Sequence, residues 1–68
     1  MPSLGEGLPR EMVRVLRDVI PAYVAIGKPG AFALAMMLDA LAEAAESIAA
    51  QDIAAMIIAY EKLKGFHT

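Results

Sequence analysis

The fold is decided by residues Gly30–Gly65, GAFALAMMLDALAEAAESIAAQDIAAMIIAYEKLKG. Between its end glycines the stretch has no proline and no further glycine, and alanine, the strongest helix former, dominates its small positions. As one helix it would be about 54 Å long at 1.5 Å per residue. A compact chain of 68 residues, with a radius of gyration of about 11 Å, cannot contain such a rod. Phase gives a second test. Leu34, Leu38, Leu41, Ala45 and Ile48 fall on one apolar face, and continuing the helix puts Asp52 in the middle of it, between Ile48 and Met56. An unpaired buried carboxylate is costly. A break at Ala50–Asp52 removes the conflict: aspartate is a strong N-cap, and Ile53, Met56, Ile57, Tyr60 and Leu63 then form a second stripe. The sequence therefore predicts helices over about residues 30–49 and 52–64. Gly65 ends the last one, with Lys62 and Lys64 well placed against the negative end of its dipole. One unbroken helix, the alternative, demands an elongated oligomer.

At Asp52, Met56 and Tyr60, the segment DIAAMIIAYEKL resembles the second helix of a tetratricopeptide repeat, although that family favours alanine where Met56 stands. The preceding helix lacks the family's tryptophan-leucine-glycine pattern and no second repeat follows, whereas such solenoids need about three. The resemblance implies a helical hairpin and goes no further.

Upstream, MPSLGEG reads as a flexible N-terminal segment, residues 1–7, because Gly5 and Gly7 disfavour a helix there, leaving 8–68 as a single helical domain. Leu8, Met12, Val15, Leu16, Val19, Tyr23 and Ile26 recur at spacings of three and four and predict an amphipathic helix over 8–26. Pro21 removes the bond to the Arg17 carbonyl, so that helix is kinked near Ile20 or, alternatively, broken into two. Gly27-Lys28-Pro29-Gly30 punctuates the chain and makes antiparallel neighbours of the helices on either side. That hairpin sets Arg17 near Asp39, Arg14 near Glu43 and Arg10 near Glu46, either as ion pairs at the rim or as two solvated faces.

The fold class that results is all-α: a helical hairpin plus a shorter C-terminal helix, associating as a bundle-like homodimer. Composition supplies the association. The chain is 59% hydrophobic with a mean hydropathy of +0.55, above the roughly 45–50% apolar usage of ordinary domains. Without cysteine it has no disulfide to compensate for a small core. Met36 and Met37 are adjacent, as are Ile57 and Ile58, so helices carrying them are apolar on more than one side. Met36, Met37, Ile53, Met56, Ile57, Ile58, Tyr60 and Phe66 are the candidate dimer- or partner-interface residues, with Met37 and Ile58 the sharpest.

No residue pattern carries catalysis. Ser3 and Ser47 are the only serines, and the single histidine, His67, stands beside the last residue. Asp39, Glu43 and Glu46 share a helix face but lack the histidine that accompanies carboxylate metal sites in bundles; no cofactor and no metal are expected. GKPG is too short for a phosphate cradle. The net charge of −2 and pI near 5.1 oppose nucleic-acid binding, although Arg10, Arg14 and Arg17 remain candidate electrostatic contacts. The window Val19–Leu38 is too interrupted to span a membrane, and MPSLGEGLP lacks the features of a secretion signal, so a cytoplasmic protein is expected.

The function expected is non-enzymatic: a small protein-binding regulator or adaptor whose partners are itself and an unidentified protein, met through an apolar helical surface. Its size and character suit a phage or mobile-element inhibitor of a host protein. The alternatives are an assembly subunit of a larger complex and a nucleic-acid-associated factor using the Arg10/Arg14/Arg17 face.

Overall fold

A helix begins at Leu4 in the computed structural model, which describes residues 3–68; Met1 and Pro2, in the N-terminal segment read as flexible, lie outside the described residues. That start is four residues before the expected Leu8. Ser3 opens the helix through its backbone, its carbonyl accepting from the N–H groups of Glu6 (3.0 Å) and Gly7 (2.7 Å). The two glycines are tolerated because the turn packs. Leu4 lies against the core, and Gly7 is buried so close to the Tyr60 ring that a Cβ there would stand 3.4 Å from Cε1. Tertiary burial, rather than propensity, supplies most helical stability.

The first helical arm covers residues 4–26 as α1 (Leu4–Arg14), a π turn (Val15–Val19) and α2 (Ile20–Ile26). The expected proline defect is the π turn. Pro21 has no N–H for the Arg17 carbonyl, and just before it the Ile20 N–H reaches back five residues to the carbonyl of Val15. The wider turn accommodates the ring without breaking the helix. Gly27 then stops the arm at φ 83°, a conformation that L side chains rarely adopt. A short 3-10 turn (Lys28–Gly30) leads into α3 (Ala31–Ala50), and α4 is Ile53–Lys64.

The break between α3 and α4 lies where helical phase placed it. Gln51 adopts the left-handed conformation at φ 54°, and its N–H donates to the Ile48 carbonyl (3.1 Å) while that of Asp52 donates to Ser47 (3.0 Å). These two bonds are the signature of a Schellman helix end. The Asp52 carboxylate then caps α4, accepting from the Ala55 N–H at 3.1 Å. Glutamine is a costly occupant of this turn. Gln51→Gly is expected to stabilise the fold by about 1 kcal/mol, the scale of the left-handed penalty, read as a raised thermal midpoint; a lowered midpoint would contradict the assignment.

The molecule measures 35 × 21 × 15 Å with a radius of gyration of 12.0 Å, which rules out the elongated rod. α3 and α4 form the most extensive contact, α1 packs mainly on α4, and α2 packs on α3. Leu8, Val15, Val19, Met37, Ala40, Ala44, Met56, Ala59 and Leu63 make the core. Of the apolar face Leu34, Leu38, Leu41, Ala45 and Ile48 on α3, only Leu41 and Ile48 pack against the core, and the helix buries Met37, Ala40, Ala44 and Ser47. The α4 stripe contributes Met56, Tyr60 and Leu63 to the core but leaves Ile53 and Ile57 exposed. The Ser47 hydroxyl is satisfied by donating to the Ala44 carbonyl at 2.7 Å.

The arginine–acid register is corrected as well. Arg14 faces inward: its Nε donates to Glu11 at 2.9 Å, and Nη2 donates to the carbonyls of Leu63 and Phe66, both at 2.9 Å. Carbonyls at a helix C-terminus lack intrahelical partners and carry the negative end of the dipole, so they are suitable acceptors for the guanidinium. Glu43 pairs instead with Lys62, at 2.7 Å. Arg14→Gln is expected to cost about 2 kcal/mol, the scale of hydrogen bonds from a charged donor, read as a lowered urea midpoint. An unchanged midpoint would show that the Arg14 bridge contributes nothing.

Candidate protein-interaction surface

The eight candidate interface residues separate into two groups. Met37 (1% exposed) and Met56 (7%) are core residues, which corrects their assignment to a surface. Met36, Ile53, Ile57 and Ile58 are about half exposed or more, while Tyr60 and Phe66 are half-buried against the core. In the first doubled pair one methionine faces inward and the other outward, whereas Ile57 and Ile58 both face outward. Six further large apolar residues are exposed: Val13, Leu16, Val24, Ile26, Phe32 and Leu38. Phe32 was legible in principle, since it shares the acidic face of α3 with Asp39 and Glu43, at seven and eleven residues' distance.

Two surfaces follow from the helices. The first is the uncharged side of α3, where Ala31, Ala35, Leu38, Ala42, Ala45 and Ala49 are all exposed. They alternate at spacings of four and three, the heptad seam along which one helix packs against another. Half-buried Leu34, Leu41 and Ile48 border this seam, and Leu41 and Ile48 connect it to the core.

The second surface is a groove between α3 and α4, formed by two cavities that share Glu43. The one lined by Met36, Ala40, Lys62 and Phe66 encloses about 430 Å³. The other, lined by Ser47, Ala50, Ala55 and Ile58, encloses about 370 Å³. Asp39, Glu43, Glu46 and Asp52 stand along the groove and Lys62 is its only cation. No residue of the 4–26 arm lines it.

The remaining candidate residues are dispersed. Arg10 and Arg17 are exposed, but Arg14 is held by the end of α4, so the three do not form one free basic face. The side chain of His67 makes no hydrogen bond among the described residues; its backbone carbonyl accepts from the Tyr23 hydroxyl at 3.3 Å. Lys64 lies 5.4 Å from the centre of the Tyr60 ring, within cation–π range. No helix among the described residues is long and apolar enough to cross a membrane. Set against protein-family models, curated proteins and solved structures, the chain matches none of them.

Proposed function

We propose that this protein is a non-enzymatic protein-binding regulator or adaptor that acts as a homodimer through its apolar helical surface. The observation that carries the reading is the exposed seam on α3, uncharged from Ala31 to Ala49 and centred on Leu38, which is 56% exposed. Folded monomers rarely leave large continuous apolar patches in water, and patches of this kind mark interaction sites. Small residues at the seam let a second helix approach closely. A second copy presents the same seam, so a two-fold pair closes without leaving an unused half.

The nucleic-acid alternative loses support because Arg14 is engaged internally. Leu38→Asp tests the reading. Its helical circular dichroism is expected to match that of the parent, while its mass by light scattering falls to that of a single chain. A variant as massive as a dimeric parent would remove the α3 seam from the interface.

A further inference from the structure

We infer that the groove between α3 and α4 receives a basic amphipathic helix from a partner protein. This rests on the protein-binding reading and assigns that partner its chemistry. From Met36 to Ala50 the groove follows α3 for about 21 Å at 1.5 Å per residue, the length of about four helical turns. Apolar side chains line it at both ends, Met36 and Phe66 in one cavity and Ile58, 58% exposed, in the other. Phe32 continues the α3 side one turn before Met36 and, at 78%, is the most exposed large apolar side chain among the described residues. An amphipathic helix buries its apolar face in such a groove through anchors three and four residues apart.

Charge decides which helix fits. Four carboxylates, Asp39, Glu43, Glu46 and Asp52, stand against one ammonium, Lys62. Lys62 already shows how a cation is received, reaching Glu43 across the groove at 2.7 Å. Asp39 and Glu46, one turn to either side of Glu43, have no ion-pair partner among the described residues. Lysines or arginines bordering the partner's apolar stripe would meet them, whereas an acidic helix would be repelled. A second copy is a poorer occupant. Its exposed arginines, Arg10 and Arg17, belong to an arm that contributes nothing to the groove, so docking them there joins copies head to tail instead of as a closed pair.

The test uses the full chain and two synthetic helices of about 14 residues, matched to the groove by helical rise. One is built from leucine and lysine, the other from leucine and glutamate with the same spacing. The leucine–lysine helix is expected to bind one per chain with an affinity that falls as salt rises. Asp39→Lys with Glu46→Lys should weaken it by about tenfold or more, as for opposed interface charges, and Ile58→Glu should weaken it independently. Glu6→Lys with Glu61→Lys makes the same change in net charge at exposed positions outside the groove, and should retain binding. Equal binding of both synthetic helices, or equal loss in the groove and control variants, would overturn the inference. A Leu38-dependent dimer that ignores the leucine–lysine helix would lose the groove assignment alone, leaving the α3 seam and the protein-binding reading intact.

Discussion

Met37→Asp is expected to unfold the chain. Met37 is 1% exposed and belongs to the same core as Leu8, Val15 and Leu63. Losing a buried methionine side chain costs about 2–5 kcal/mol, and the carboxylate that replaces it has no cation among the core residues to pair with. A core of this size supplies only about 3–5 kcal/mol in total, so the substitution consumes the whole margin. Far-ultraviolet circular dichroism should report coil. Ile58→Asp, at an exposed position, should remain helical. The sequence placed both residues among the interface candidates; burial separates them. A folded, helical Met37→Asp would mean that α3 is rotated from the position described.

Gly30→Ala is the second large effect, with a different cause. A Cβ at Gly30 would stand 2.7 Å from the backbone carbonyl oxygen of Tyr23. Backbone cannot yield as a flexible side chain can, so the turn between the 4–26 arm and α3 has to open. The expected cost is about 2 kcal/mol or more, in the range of overpacking, seen as a lowered urea midpoint. Gly27→Ala makes an informative companion. Its Cβ would meet nothing within 4 Å, but its φ of 83° strains any side chain, at about 1–3 kcal/mol. Parent-like stability of Gly30→Ala would contradict the close approach at Tyr23.

These substitutions also mark where sequence reasoning succeeded. The breaks were legible because they depend on single residues with strong local preferences. Asp52 could not be reconciled with an apolar stripe, Gly27 suited a helix end, and Pro21 had to disturb whatever helix contained it. The faces were less legible. α3 and α4 are apolar on more than one side, so periodicity alone did not single out the face that is buried. The core takes small residues, Ala40, Ala44 and Ala59, beside Met37, Met56 and Leu63, and leaves Leu38 and Ile57 outside. Helical phase placed Arg14 on the polar face and could not reveal the carbonyls of Leu63 and Phe66, about fifty residues onward, which turn it inward. Gly5 and Gly7 misled for a related reason: propensity opposed a helix at residues 4–7, but packing against Tyr60 overruled it.

The candidate surface followed the same pattern. That the chain carries more large apolar residues than one core can bury was evident from composition. Which residues they are depended on the rotation of each helix, and the α3–α4 groove needed the pairing of two helices that no local pattern encodes. Asp39, Glu43 and Glu46 were read correctly as one acidic face, but the apolar side chains that give this face a candidate role came only with the fold.

The central claim is that the uncharged side of α3 is an interface. Sedimentation equilibrium of the unaltered chain over the micromolar range tests it most directly. The account predicts a mass of 14.4 kDa, twice the 7.2 kDa of one chain. A mass of 7.2 kDa throughout would contradict it.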